Sequence, residues 1–296
     1  MAKGNIGNLL QHFIALKVAE RLVREWKQPN KAIEYIDCFS MAPWEPIEGG
    51  QPQGFVEIVT GFPNLRDHGD VVASGFCRAW EQHYAKKVIP AHPQDREYPN
   101  TAVLLRSAFP DQSWNMRLHE NDSTGGGKRD KLSAWAKGQT QGEYSVDGEW
   151  SESKLILNRP VPNDRPAFIM LDPFQIVDDH SVSAVRGGYL SASRLRFLMG
   201  QHCLNLHESI RQRNPKPIVV TLFSYSNANL NVAAGIVSKQ FNSDSWQVES
   251  ICSGPWQGRN GRNWHGGWLV SANISGPVLQ PSAQHQWVQW CAAKEK

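Results

Sequence analysis

The sequence predicts one α/β domain of the Rossmann-like kind, built on a seven-stranded, mostly parallel sheet. Three observations predict it. Short apolar segments alternate with helix-period segments along most of the chain, the pattern of a parallel sheet with helices on both faces. The last two strand-like segments have no helix between them, which suits an antiparallel hairpin at a sheet edge. The 296 residues, 40% hydrophobic and 20% charged, have the composition of a chain that buries a core, in one large domain with an insertion.

The elements follow in order. From Ile6 to about Trp26, apolar residues recur at helical spacing (Leu9, Phe13, Leu16, Ala19, Leu22, Val23, Trp26), and Pro29 follows as a stop signal. AIEYID, Ala32 to Asp37, is a short strand ending in an acid. The stretch from Trp44 to Pro99 is rich in Pro and Gly, holds one helix near Val71 to Lys86 and shows no strong strand pattern; it reads as an insertion at about 44–99. A helix near Thr101 to Phe109 leads to the strand WNMRLHE, Trp114 to Glu120. GGGKRDKLSAWAKG carries a short helix ending near Gly138, and EYSVDG, Glu143 to Gly148, is a strand and turn. PAFIMLDPF, Pro166 to Phe174, is a buried strand followed by a proline-marked turn. Helices near Ala192 to Arg213 and Asn231 to Phe241 flank the apolar strand PIVVTLFSY, Pro217 to Tyr225. SWQVESIC and GGWLVSANIS are the final pair of strands, and a helix near Ala283 to Ala293 closes the chain. Seven strands ending in such a hairpin are the general plan of S-adenosylmethionine (SAM)-dependent methyltransferases.

Composition narrows the function classes. The formal charge of +3 permits a nucleic-acid partner only if basic residues cluster. The five cysteines contain no CxxC pair, so they read as reduced thiols of a cytoplasmic protein rather than as disulfides or a zinc site. No apolar run approaches membrane-spanning length, and the opening MAKGNIGNLLQHF lacks the apolar stretch of a signal peptide. The ten histidines form no HxH or HExxH pattern, so no metal site is expected. No GxSxG elbow is present, and GGGKRDK lacks the spacing and the Ser/Thr of a Walker loop. A monomer or weak dimer is expected.

In open parallel sheets, ligands bind beyond the carboxyl ends of the strands near the point where strand order reverses. Four strand ends carry suitable chemistry. Asp37 ends the first strand, although an acid there also serves to cap the next turn. Glu120 ends the second, where a carboxylate accepts hydrogen bonds from ribose hydroxyls; an exposed loop acid is the competing reading. Asp147 and Gly148 follow the third, an acid for an adenine amine and a residue leaving room for the flat ring, but also a common turn pair. Asp172, Pro173 and Phe174 follow the fourth. Asp172 there would accept a hydrogen bond from a target amine, and Phe174 would stack on the base; a simple turn is the alternative.

At these residues the chain resembles a known family, the bacterial 23S ribosomal RNA adenine-N6 methyltransferases with an inserted helical subdomain. The likeness runs nearly end to end: GNIGNLLQH at the start, YID at Tyr35 to Asp37, YPNT at Tyr98 to Thr101, RLHEND at Arg117 to Asp122, VDG at Val146 to Gly148, LDPF at Leu171 to Phe174, and GGWLVSANISGP near the end. The resemblance implies SAM as cofactor, held by His12, Thr101, Glu120, Asp147 and Gly148, with Asp172 as the catalytic residue. Two motifs depart from the family. Its His-Ala-Gly-Ala-Gly loop is here Phe39-Ser40-Met41-Ala42-Pro43, and its Asp-Pro-Pro-Tyr motif has one proline here rather than two.

Two functions therefore stand side by side. One is a SAM-dependent methyltransferase acting on amino groups of RNA or other nucleic acid. For it speaks GPWQGRNGRNWHGG, Gly254 to Gly267, in which Arg259 and Arg262 offer phosphate contacts and Trp264 a stacking face. A plain hairpin loop explains that segment equally well. The other is a catalytically inactive, methyltransferase-like binding or assembly protein that kept the fold and lost the glycine loop.

Overall fold

The computed structural model describes residues 6–38, 40–47, 53–120, 127–147, 162, 164–171, 175–177, 189–191, 216–224, 235, 237, 241, 246–251 and 266–292. The chain opens with helix α1 (Ile6–Trp26) and strand β1 (Ile33–Asp37). Strand β2 (Trp44–Pro46), helices α2 (Gln53–Thr60), α3 (Phe62–Asp67) and α4 (Val71–His83), a 3-10 turn at Pro93–Asp95 and strand β3 (Glu97–Pro99) follow. Next come helix α5 (Thr101–Ala108), strand β4 (Trp114–His119), helix α6 (Lys128–Lys137) and strands β5 (Tyr144–Asp147) and β6 (Ala167–Leu171). The short strands β7 (Gln175–Val177) and β8 (Tyr189–Ser191) pair with each other. Strands β9 (Ile218–Ser224), β10 (Gln247–Ile251) and β11 (Gly266–Ala272) and helix α7 (Pro281–Ala292) complete the described elements.

All seven strands expected from the sequence lie in one sheet of order β10-β11-β9-β6-β1-β4-β5. Strands β5, β4, β1, β6 and β9 run parallel, and β11 is antiparallel to both β9 and β10. This is a Rossmann-like α/β fold. From β1 the chain builds outward through β4 to β5, then returns to place β6 on the other side of β1. Strand order therefore reverses between β1 and β6.

Burial explains why these segments were legible. All five residues of β1 and all five of β6 are buried, as expected for central parallel strands covered on both faces. Edge strand β10 alternates instead, with Val248 41% exposed. Burial of β1 encloses two carboxylates. Glu34 is 2% exposed and is paired by Arg117 at 2.5 Å on the neighbouring strand.

One face of the sheet carries a continuous cluster of buried apolar side chains. Leu9, Phe13 and Leu16 of α1 pack with Trp114 and Met116 of β4 and with Phe76 and Trp80 of α4. Phe13 lies 5.1 Å from Trp290 of α7, edge to face. Asp70 joins three helices: it caps α4 by accepting from the Ala73 N–H at 2.8 Å, pairs with Lys17 of α1 at 3.4 Å and accepts from Gln286 of α7 at 2.7 Å.

The segment 44–99 holds more order than its composition suggests. Three helices form where one was expected, and β2 pairs antiparallel with β3, Glu45 opposite Tyr98. The missed helices are eight and six residues long, the second opening on a proline in its first turn, and the strands have three residues each. Such pieces are too short to display a period. Their order comes from packing: Phe62, Phe76 and Trp80 enter the same core as α1. The helix expected near Ala192 to Arg213 lies outside the described residues, and of Asn231 to Phe241 only Gly235 and Val237 are described as helical.

Gly75 of α4 sits where α1 and α5 converge; a Cβ there would lie 3.2 Å from the Ala108 Cβ and 3.3 Å from Leu16 Cδ1. Gly75→Val is expected to force these helices apart and cost about 1–3 kcal/mol, the usual scale of overpacking. Urea unfolding of the two proteins measures it; an unchanged midpoint would show that the helices yield without cost.

Candidate functional site

A cleft opens beside the reversal of strand order. It is narrow, with room of about 30 Å³, and is lined from α1, β1 and the loop after it, β2, β3, β6 and the first turn of α5. That is the place where open α/β sheets bind ligands.

Three residues singled out from the sequence meet here. Asp37, 1% exposed, ends β1. Tyr35, two residues earlier on the same strand face, donates its hydroxyl proton to Asp37 Oδ2 at 2.9 Å. Burial, and then the Asp37 charge, push the Tyr35 hydroxyl well above its ordinary pKa, so it remains a donor. Burial also pushes the Cys38 thiol up. His12, on the second turn of α1, is 6% exposed and has its Nδ1 3.1 Å from Thr101 Oγ1. Burial pushes the His12 pKa down to about 3, leaving a neutral ring. Thr101 reaches this point because it begins α5, whose N-cap is Asn100: the Asn100 Oδ1 accepts from the Val103 N–H at 3.0 Å. Met170 of β6 completes the group, its sulfur 3.6 Å from the Tyr35 hydroxyl oxygen and 3.7 Å from Thr101 Oγ1.

The loop after β1 is pinned from both sides. Asn100 Nδ2 donates to the Ser40 carbonyl at 3.1 Å and to the Met41 carbonyl at 3.4 Å. The Ser40 N–H donates to the His119 carbonyl at 2.8 Å, and the His119 N–H donates to Ser40 Oγ at 3.1 Å. Met41 has φ +62°, a left-handed conformation that glycine adopts without strain and methionine rarely does. Glu45 of β2 supports the loop by accepting from the Ala42 N–H at 3.4 Å and is paired by Lys128 at 3.5 Å.

Glu120 and Asp147 stand one and two strands further along the sheet from Asp37. β4 and β5 are in register with His119 opposite Asp147, and the Glu120 N–H donates to the Asp147 carbonyl at 3.1 Å. The carboxyl ends of β1, β4 and β5 thus place three acids along one rim; Glu120 and Asp147 do not line the cleft beside Asp37. Gly148, Asp172, Pro173, Phe174, Arg259, Arg262 and Trp264 lie outside the described residues. Among the described residues no group of three or more His, Cys, Asp or Glu is placed to hold a metal, and no helix is long and apolar enough to cross a membrane.

Residue-by-residue reading overlooked Tyr35, Asn100 and Met170. Asn100 was within reach, since Asn before a helical segment is a start signal. Tyr35 and Met170 read only as apolar strand positions.

Fold and cleft define a class: a seven-stranded Rossmann-like domain with acids at the carboxyl ends of β1, β4 and β5. The chain matches no protein-family model and no curated protein. Among solved structures it is similar to protein LPL1258 from Legionella pneumophila, described with the family model DUF519, at TM-score 0.60 and 14% identity, over 99% of this chain and 93% of that one. At this identity the likeness concerns the fold alone.

Two buried imidazoles set an acid limit to stability. His12 and the fully buried His119 both have pKa values pushed down to about 3 by burial, the Asp147 charge partly opposing this for His119. In the unfolded chain both titrate near the ordinary value of about 6.5. The folded state therefore refuses protons that the unfolded state accepts. Stability should be intact above about pH 6.5 and fall on acidification, by on the order of 1 kcal/mol per pH unit for each ring. Unfolding free energies at pH 7.5 and pH 5 check this; equal values would mean that neither ring stays neutral.

Proposed function

We propose that this protein binds SAM along the rim formed by β1, β4 and β5 and methylates an amino nitrogen of a nucleic acid, with adenine N6 of RNA as the substrate type. The reading is carried by one observation: Asp37, Glu120 and Asp147 stand at the carboxyl ends of three adjacent strands, beside the cleft that contains His12 and Thr101. The donor set fits the cofactor. SAM bears an ammonium, a sulfonium, two ribose hydroxyls and an adenine amine, and carboxylates at successive positions along a rim suit cations and donors. His12, Asp37 and Thr101 would hold the amino-acid end, while Glu120, Asp147 and Gly148 would hold the nucleoside. When bound, SAM supplies a methyl group activated by its sulfonium. Asp172, next in sequence after the last residue of β6, would accept a hydrogen bond from the target amine and orient its lone pair, with Phe174 stacking on the base.

A second reading has its own observation. Met41 lines the cleft with a side chain at a left-handed position where the resembled family has glycine. A cleft narrowed there supports the methyltransferase-like binding or assembly protein without turnover.

Calorimetric titration with SAM and with its demethylated product separates the readings from the outset. Micromolar binding by the wild-type protein supports a cofactor site; absence of binding to either compound rejects it. Given binding, Asp172→Asn should leave affinity nearly unchanged and cut methyl transfer to RNA by about 10²-fold or more, the scale of losing one well-placed polar group. Wild-type turnover in this variant would remove Asp172 from the chemistry. Replacing Arg259 and Arg262 together by Ala should weaken RNA binding and flatten its salt dependence.

Met41→Gly tests the narrowed cleft. Relief of the left-handed strain and the added freedom of the unfolded chain oppose each other, so stability should change by less than about 1 kcal/mol. Cofactor affinity should rise by roughly tenfold if the side chain obstructs the cleft, a change of about 1.4 kcal/mol. Unchanged affinity would clear Met41 as an obstacle.

A further inference from the structure

The cleft beside the strand reversal is one-sided in charge. Its described lining includes two carboxylates, Asp37 of β1 and Glu45 of β2, and no lysine or arginine. Helix α1 adds the amides of Asn8 and Gln11, 5% and 2% exposed, and the ring of His12, which burial keeps neutral. Lys128 of α6 reaches Glu45 at 3.5 Å from outside that lining. The room of about 30 Å³ suits a group the size of a water molecule, and an ammonium has that size. Met41 of the lining is partly exposed, so the cleft reaches solvent there. An ammonium offers donors only and a carboxylate acceptors only. A cation entering this cleft would gain from Asp37 and Glu45. An anion would meet two like charges in a poorly solvated place, with amides and a neutral ring but no opposite charge among the described lining residues.

We infer that the cleft recognises its ligand by an ammonium group alone, with Asp37 and Glu45 as the residues that select it, and leaves the ligand's carboxylate without an ionic partner. The inference rests on the cofactor reading given above and narrows it: of the two charged groups at the amino-acid end of SAM, the cleft reads one. Gln11 sets this preference. It stands in the lining on the same helix as His12, at a position where a lysine would bring a cation within reach of the ligand. A glutamine there offers hydrogen bonds to either group and charge to neither. The cleft therefore also admits amine ligands that carry no carboxylate.

The test is calorimetric titration of the wild-type protein with three probes: S-adenosylhomocysteine, its decarboxylated analogue, which keeps the ammonium, and its deaminated analogue, which keeps the carboxylate. The decarboxylated analogue is expected to bind about as tightly as S-adenosylhomocysteine. The deaminated analogue is expected to bind roughly tenfold more weakly or worse, the scale of one lost charge-assisted hydrogen bond. The inference is overturned if the deaminated analogue binds as well as the decarboxylated one, or if loss of the carboxylate alone weakens binding tenfold. No binding of any of the three overturns the cofactor reading itself, and the inference with it. Gln11→Lys supplies the missing cation and should reverse the order, strengthening the deaminated analogue by roughly tenfold and weakening the decarboxylated one. Unchanged affinities in a variant that melts as wild type does would overturn the role of Gln11. If that variant does not fold, the three titrations of the wild-type protein decide by themselves.

Discussion

A carboxylate 1% exposed at the end of a central strand is the demand around which the described cleft is arranged. Taking an ionised carboxyl out of water costs several kcal/mol unless it is hydrogen-bonded. Asp37 receives the Tyr35 hydroxyl, and Tyr35 in turn sits 3.6 Å from the Met170 sulfur, itself 3.7 Å from Thr101. The helix start that delivers Thr101 is fixed by Asn100, whose amide also holds the loop after β1. One buried acid thus ties α1, α5, β1 and β6 into a single polar group. Any shift of α5 would disturb the group at Thr101 and the loop at Asn100 together.

The same strand shows how much of the fold could be read from residues alone. Strands β1, β6 and β9 are short apolar runs because both faces are covered, and such runs stand out in any sequence. The helix Ile6–Trp26 stood out for a different reason, its repeated apolar positions over 21 residues. What escaped was short: α2, α3, β2, β3, β7 and β8, none of them long enough to show a period of its own. The pairing of Trp44 with Pro99 joins residues far apart in sequence, and nothing local announces it.

The site was legible to a different degree. Strand-end logic isolated Asp37, Glu120 and Asp147, and the topology places them on adjacent strands. His12 and Thr101 were named only through a family resemblance; their 3.1 Å contact depends on the angle between two helices, which no motif encodes. Tyr35 was hidden because an aromatic residue in a buried strand looks like core, and in part it is: its ring packs against Phe168 at 5.4 Å. Its second task, donating to Asp37, follows from the two-residue repeat of a strand, which turns Tyr35 and Asp37 to the same face.

Strand order has a consequence for the sequence of events in which the chain assembles. β1 ends at Asp37, yet its two neighbours begin only at Trp114 and Ala167. As the chain emerges from synthesis, β1 and α1 appear early but must wait, with apolar surface uncovered, until distant segments arrive. Helices α3 and α4, emerging soon after and packing on α1 through Phe62 and Phe76, offer interim cover for that surface. The far edge waits longer still: β10 pairs in the sheet through β11 alone, which follows it in the chain. A nascent or truncated chain lacking β11 would expose the open edge of β9 as well as β10, an invitation to pair with another copy.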